Sequence, residues 1–350
     1  MSNDRFALAA IELSGTPFEV GQQLGEFGKD VVHRYLVHSE SWATVMQWRG
    51  HARVQEMARL TRERLPAIWQ EIEGLAQGLA LPLDDVFLWN CRGDVWAMAP
   101  DGCTSVMMPS DVSPRLSHNE DGDPGFAGHC AVATVRRSKG SAFAAFVYPG
   151  SIPGHTFTVT DHGLAMTVNN LRCSHVGAGL PRMVLARAVL EKGCAADAID
   201  MLRQLPRAGG FHLALADRQT RQVYSVEFSA HFCSVTQVVE VSVHANHAIH
   251  PQTRDYPQVI TGSSGMRQIR GQQMVREALE ADREVDPVEI LTDQDHSRFT
   301  IWREDPNDDD RENTVGSADI RIHSDHIEWV VRTRRDGPVS LAFRDAHQVS

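Results

Sequence analysis

At 350 residues the chain can bury a substantial core, which excludes a peptide hormone or a disulfide-held miniature. Hydrophobic residues make up 42% and charged residues 23%, with no long low-complexity tract, so the chain reads as globular. Its 45 acidic against 34 basic residues, a formal charge of -11, argue against a broad phosphate-binding face and hence against a nucleic-acid partner.

Met1 to Gly15 carries one short apolar patch, Phe6 to Ile11, and no stretch of the chain has 18 consecutive apolar residues. The expectation is a soluble, cytoplasmic protein without a secretory signal or a membrane contact. Helix spacing then dominates: Val20, Leu24, Phe27 and Val31 recur at steps of four, three and four, as do Ile68, Ile72, Leu75 and Leu79. Leu81 to Asp85 starts a further helix over Val86 to Met98, and Pro100-Asp101-Gly102 ends it.

From residue 103 the texture turns to strands: Cys130 to Arg137, Ala142 to Tyr148, Leu164 to Asn170, Phe211 to Ala216, Val223 to Phe228 and Phe232 to His244. Helical patterns interrupt them at Arg182 to Leu205, broken at Gly193, and at Met266 to Ala281. Strands return at Phe299 to Arg303, Ala318 to His323 and Ile327 to Arg332, while the acidic run Pro306 to Glu312 reads as a solvated loop. Two blocks of strands around helices suggest an α+β protein of stacked sheets with helices outside, in one domain over residues 1–350.

The six cysteines, at 91, 103, 130, 173, 194 and 233, are never two or three residues apart, so neither a zinc knuckle nor a Cys-x-x-Cys pair is present. Gly-x-Ser-x-Gly, the phosphate-binding glycine loop and His-Glu-x-x-His are also absent, which demotes serine hydrolases, nucleotide hydrolases and zincins. Four polar clusters remain. In Asp101-Gly102-Cys103-Thr104-Ser105, Cys103 is either a buried thiol after a turn or a nucleophile that attacks the Gly102 carbonyl. Glycine would tolerate the strained geometry, and cleavage would free a Cys103 α-amine, whose usual pKa of about 7.7 to 8 suits a general base.

Ser117 to Asp123 is too polar for a simple core strand; it is an acidic turn, or it places Asp121 beside Cys103. Gly163 to Asn170 is an apolar strand ending in two amides, and alternation allows only one of Asn169 and Asn170 to reach a given site as an oxyanion donor. His244-Ala245-Asn246-His247-Ala248-Ile249-His250 tempts a metal reading, but an extended strand turns His247 away from His244 and His250, leaving Asn246 as the better candidate. Arg303 closes the run Phe299 to Trp302, either as a surface charge or as an arginine that holds Asp121.

Together with Gly15 to Gly25, Glu71 to Ala76 and Trp89 to Arg92, these segments resemble the acyl-coenzyme A:isopenicillin N acyltransferase family, peptidase family C45, within the N-terminal nucleophile (Ntn) hydrolases. The resemblance implies a four-layer αββα sandwich and cleavage between Gly102 and Cys103. The products would be a helical fragment 1–102 and a fragment 103–350 that stay associated. It further implies that Cys103 is the nucleophile, Asp121 its acidic partner, Asn246 the amide on the tetrahedral intermediate, Asn169 the oxyanion asparagine with Asn170 as its rival, and Arg303 the arginine near the core. His118 stands where relatives often carry arginine or glutamine, and with Asn170 is expected at the substrate-binding edge. The expected reaction is hydrolysis of a small N-acyl or peptide-like amide through an acyl-thioester, without cofactor or metal. Transfer from acyl-CoA to an amine is the alternative. The rivals from other classes are an uncut binding scaffold and a metal hydrolase using His244, His247 and His250.

Overall fold

In the computed structural model, residues 4–99, 102–296, 298–308 and 310–349 are described. The chain begins with strand β1 (Ala9–Gly15), and the first apolar stripe becomes helix α1 (Pro17–Arg34). Thr16 caps α1 in a capping box with Glu19, and Pro17 occupies its first turn. Then follow α2 (Glu40–Met46), α3 (Ala52–Arg64), α4 (Pro66–Leu79), α5 (Leu83–Trp89) and α6 (Arg92–Val95). The helix expected over Val86 to Met98 is thus two short ones; Pro100 and Asp101, read as its breaker, lie outside the described residues.

The strand-rich half holds β2 (Gly102–Met108), β3 (Arg115–Gly122), β4 (Ala131–Arg137), β5 (Phe143–Val147), β6 (Phe157–Thr160) and β7 (Leu164–Leu171). Helices α7 (Arg182–Val189) and α8 (Ala195–Gln204) precede β8 (Gly210–Asp217), β9 (Val223–Phe228), β10 (Cys233–Gln237) and β11 (Ser242–His244). Helices α9 (Gly262–Glu280) and α10 (Pro287–Leu291) lead to β12 (Asn313–Ile322), β13 (Ile327–Arg332), β14 (Leu341–Arg344) and β15 (His347–Val349).

These strands form an eight-stranded sheet, β1-β4-β5-β6-β7-β8-β9-β10, and a seven-stranded sheet, β11-β2-β3-β12-β13-β14-β15. The sheets face each other where β2 and β3 meet β7 and β8. Helices α9 and α10 lie against β2, β3 and β11, and α1 and α8 lie against strands of the eight-stranded sheet. The architecture is therefore mixed α+β, two stacked sheets with helices on their outer faces.

Three expectations need correction. Phe232 to His244 is not one strand: it ends at Gln237 in the first sheet and resumes at Ser242 in the second, so the chain changes sheet between them. Phe299 to Arg303 is not a strand, because Ile301 and Trp302 both direct their N–H groups to Asp293 O rather than to a ladder. The first hundred residues are not all helix, since β1 pairs in parallel with β4 from Ala9↔Ala131 to Gly15↔Arg137. The polar run from Ser117 to Asp121 proves to be interior strand, fully buried within β3.

Candidate active site

Pairing of β2 with β3 sets Gly102 opposite Asp121 and Cys103 opposite Glu120. Strand alternation then divides the side chains. Cys103, Ser105, His118 and Glu120 point toward the facing sheet, where Ser105 Oγ donates to Asn169 Oδ1 at 2.7 Å. Thr104 and Asn119 point toward α9 and α10, bonding Arg267 and the Leu291 carbonyl.

The backbone of Cys103 is held from the helical side. Its N–H donates to Asn246 Oδ1 at 3.0 Å, and Arg267 Nη2 donates to the same oxygen at 2.6 Å. Arg267 Nη1 reaches Cys103 O and Thr104 Oγ1. Burial lowers the Arg267 pKa, with Asp121 opposing that shift. Sequence reading missed Arg267. The available signal was a helical stripe whose buried members begin polar, with Ser263, Ser264, Arg267 and Gln268, before Val275 and Ala278.

Gly102 faces a buried ionic cluster. A Cβ there would stand 2.2 Å from Glu312 Oε2 and 2.8 Å from Arg303 Nη1, while its φ lies outside the left-handed region. Close approach, not backbone strain, is what demands glycine. Arg303 binds Glu312 and Asp308, and its Nη1 lies 4.0 Å from Asp121 Oδ2. Glu312 also binds Arg172, at 3.2 Å. The acidic run is thus no solvated loop: Asp308 and Glu312 turn inward onto the buried charge of Arg303 and pair with it. Asp309 lies outside the described residues. Asp121 Oδ1 accepts from Thr314 Oγ1 at 2.6 Å; burial raises its pKa, and Arg303 and Arg267 oppose the rise.

On the other face, Cys103 Sγ lies 3.7 Å from Glu120 Oε2, which is 3.2 Å from His118 Nε2. Tyr148 donates to Glu120 Oε1 at 3.1 Å, and His118 Nδ1 meets Ser105 Oγ at 2.8 Å. Burial pushes the His118 pKa down to about 3. Among the described residues, Cys103, His118 and Glu120 are also a trio whose ligand atoms lie close enough together to hold a metal ion. Sequence reading attended to Asp121 and missed Glu120 and Tyr148, because only register decides which of two adjacent acids meets the thiol.

The two asparagines are separated as alternation requires. Asn169 has both amide atoms engaged: Nδ2 donates to His244 O at 3.1 Å, and Oδ1 accepts from Ser105 and His212. Asn170 Oδ1 accepts from Arg182, while its buried Nδ2 has no hydrogen-bond partner among the described residues. His244 and His250 both approach Glu227, at 2.9 and 3.8 Å, whereas His247 bonds Ser264, so the three rings do not meet at one point. A cavity of about 940 Å³ opens beside the ionic cluster, its lining including Tyr35, Trp96, Asp123, Arg172, Asp308 and Asp310.

Residues 107–336 match the family described as acyl-coenzyme A:6-aminopenicillanic acid acyl-transferase, and the chain belongs to that family. The match begins four residues after Cys103 and includes the positions of Asp121, Asn169, Asn246 and Arg303. The chain is also similar to the beta-alanyl-dopamine/carcinine hydrolase of Drosophila melanogaster, 24% identical over 225 residues. That likeness spans 57% of this chain and 58% of the relative. No described helix is long and apolar enough to cross a membrane.

Proposed function

We propose that the protein is a self-activating thiol enzyme of the Ntn-hydrolase fold that opens a carbon–nitrogen amide bond. Cys103 would cut the chain after Gly102 and then serve as the nucleophile. The observation that carries this reading is the grip on the Gly102–Cys103 junction. Asn246 Oδ1 holds the nitrogen that would become the α-amine, and the Arg303–Glu312 pair lies against Gly102.

After cleavage, the amine at Cys103 would take the thiol proton, Asn246 keeping it oriented and Arg267 polarising that amide. The thiolate would attack the substrate carbonyl and form an acyl-thioester that water resolves. Of the two candidate oxyanion amides, Asn170 keeps a buried Nδ2 with no hydrogen-bond partner among the described residues, while Asn169, on the side that faces the sheet of Cys103, has both amide atoms engaged. Asp121 and Arg303 would act by positioning the junction. The relative's name supports a small aminoacyl amide of an amine as substrate, and the acids and aromatic rings of the cavity suit an ammonium and a ring. Acyl transfer to an amine is the second reading, favoured by the family's description.

Intact mass and N-terminal sequencing of the purified chain test this. The expected products are fragments of 102 and 350 - 102 = 248 residues that co-elute, the larger beginning Cys-Thr-Ser. Cys103→Ala should remain one chain and hydrolyse no N-acyl amine, whereas Cys103→Ser should process slowly through an ester. A fully cut or fully active alanine variant ends the proposal.

A further inference from the structure

We propose that Glu120, relayed by His118, takes the proton from the Cys103 thiol while the chain is still uncut; this rests on the self-cleavage reading above. The α-amine that would serve the mature enzyme does not exist before cleavage. Cys103 N is then a peptide nitrogen whose hydrogen lies on Asn246 Oδ1, and an amide offers no basic lone pair. Asp121, the acid expected from sequence, cannot stand in. Register turns it to the opposite face of the strand, where Thr314 and Arg303 hold it. Among the described residues, Glu120 offers a carboxyl oxygen on the thiol's own side, its Oε2 at 3.7 Å from Sγ.

Hydrogen-bond roles fix where the nearby protons are. Asn169 Nδ2 donates to the His244 carbonyl, so its Oδ1 is an acceptor only, and the Ser105 hydroxyl must donate to it. Ser105 Oγ then presents lone pairs to His118 Nδ1 at 2.8 Å, which requires Nδ1 to carry hydrogen. A neutral ring therefore offers a bare Nε2 to Glu120 Oε2 at 3.2 Å, and one proton must lie between them. The ring and the carboxyl are both fully buried, so the neutral pair, with that proton on the carboxyl, is the arrangement that leaves no charge in the core.

The step is a double transfer. The Sγ–H bond breaks as Oε2 takes its proton, and the proton already on Oε2 passes to Nε2. The sulfur forms a bond to the Gly102 carbonyl carbon, and the carbon–nitrogen bond to Cys103 breaks. The relay then runs backward and returns one proton to the departing nitrogen, so the acyl shift neither gains nor loses a proton overall. Water hydrolyses the resulting thioester, releasing the Gly102 carboxylate and the free Cys103 thiol.

Cleavage of freshly purified full-length chain, followed on denaturing gels with and without hydroxylamine, tests the relay. If the wild-type chain never cuts itself, the self-cleavage reading fails and the relay with it. If it does, Glu120→Gln should slow cleavage by about 10²- to 10⁴-fold. Hydroxylamine, which consumes a thioester once formed, should not restore the variant. Equal rates for Glu120→Gln and wild type, or full rescue by hydroxylamine, overturn the relay and leave self-cleavage standing. His118→Asn keeps a donor near the Nδ1 position for Ser105 but removes the Nε2 acceptor; it should fold and still cut slowly, and a wild-type rate would overturn the role of the ring. Should these variants fail to fold, cleavage of the wild-type chain in mixtures of light and heavy water decides. A curved dependence on deuterium fraction supports two protons in transfer, and a linear one overturns the relay.

Discussion

A single missing methyl group defines the junction. Gly102 is required because Glu312 and Arg303 fill the place of its side chain, and neither can retreat, since Arg172 holds the far oxygen of Glu312 and Asp308 holds Arg303. Gly102→Ala, made in the uncut Cys103→Ala chain, should therefore cost about 1–3 kcal/mol, the usual range for overpacking. Urea unfolding of the two chains measures it, and an unchanged midpoint would mean that the pair does not press on Gly102. Much of this site was readable from residue types and their order: Gly102, Cys103, Asp121, Asn246 and Arg303 do surround one peptide bond. Glu120, Arg267 and Glu312 were not, because each meets Cys103 or Gly102 from a different element, at a distance set by register and by how a helix lies on a sheet.

Among elements, the pair α1 and α4 shows what spacing can and cannot convey. Their apolar stripes identified both helices, but not that they cross backbone to backbone. Gly21 and Gly25 on one helix, and Gly74 and Gly78 on the other, stand four residues apart. A Cβ on Gly74 would meet the Phe18 carbonyl at 1.9 Å, and one on Gly21 the Glu71 carbonyl at 1.9 Å. Backbone cannot step aside as a side chain can. Gly74→Ala should therefore destabilise the fold by about 3 kcal/mol despite alanine's better helix propensity, read as a lowered urea midpoint. A neutral or stabilising result would show that the helices lie further apart. Strand β3 illustrates the reverse failure: hydrophobic alternation could not announce a strand whose two faces are both polar and both satisfied by partners distant in sequence.

At the scale of the whole molecule, the meeting of the two sheets is itself polar, and hydrogen bonds and burial keep two of its histidines, His118 and His212, neutral. Beyond Ser105, Asn169 Oδ1 accepts from His212 Nδ1, which leaves His212 Nε2 to accept from Ser225, itself bonded to His250. The His212 ring stacks on His244 at 3.5 Å, and burial with its neighbouring histidines drives its pKa well down. The sign of the pH effect follows. His118 and His212 stay neutral in the folded chain, whereas in the unfolded chain each takes a proton as pH falls through about 6.5, so acid favours unfolding. His247, pushed down to about 4 by burial, acts in the same direction. Asp94 opposes them, because burial raises its carboxyl to about 6 and the folded chain gains that proton first, and the carboxyls of Asp121 and Glu312, also raised by burial, act on the same side as Asp94. With both terms included, the uncut Cys103→Ala chain should be less stable at pH 6 than at pH 7 by about 1 kcal/mol. Equilibrium unfolding in urea at the two values measures it, and equal or greater stability at pH 6 would mean that these rings already carry charge inside the fold.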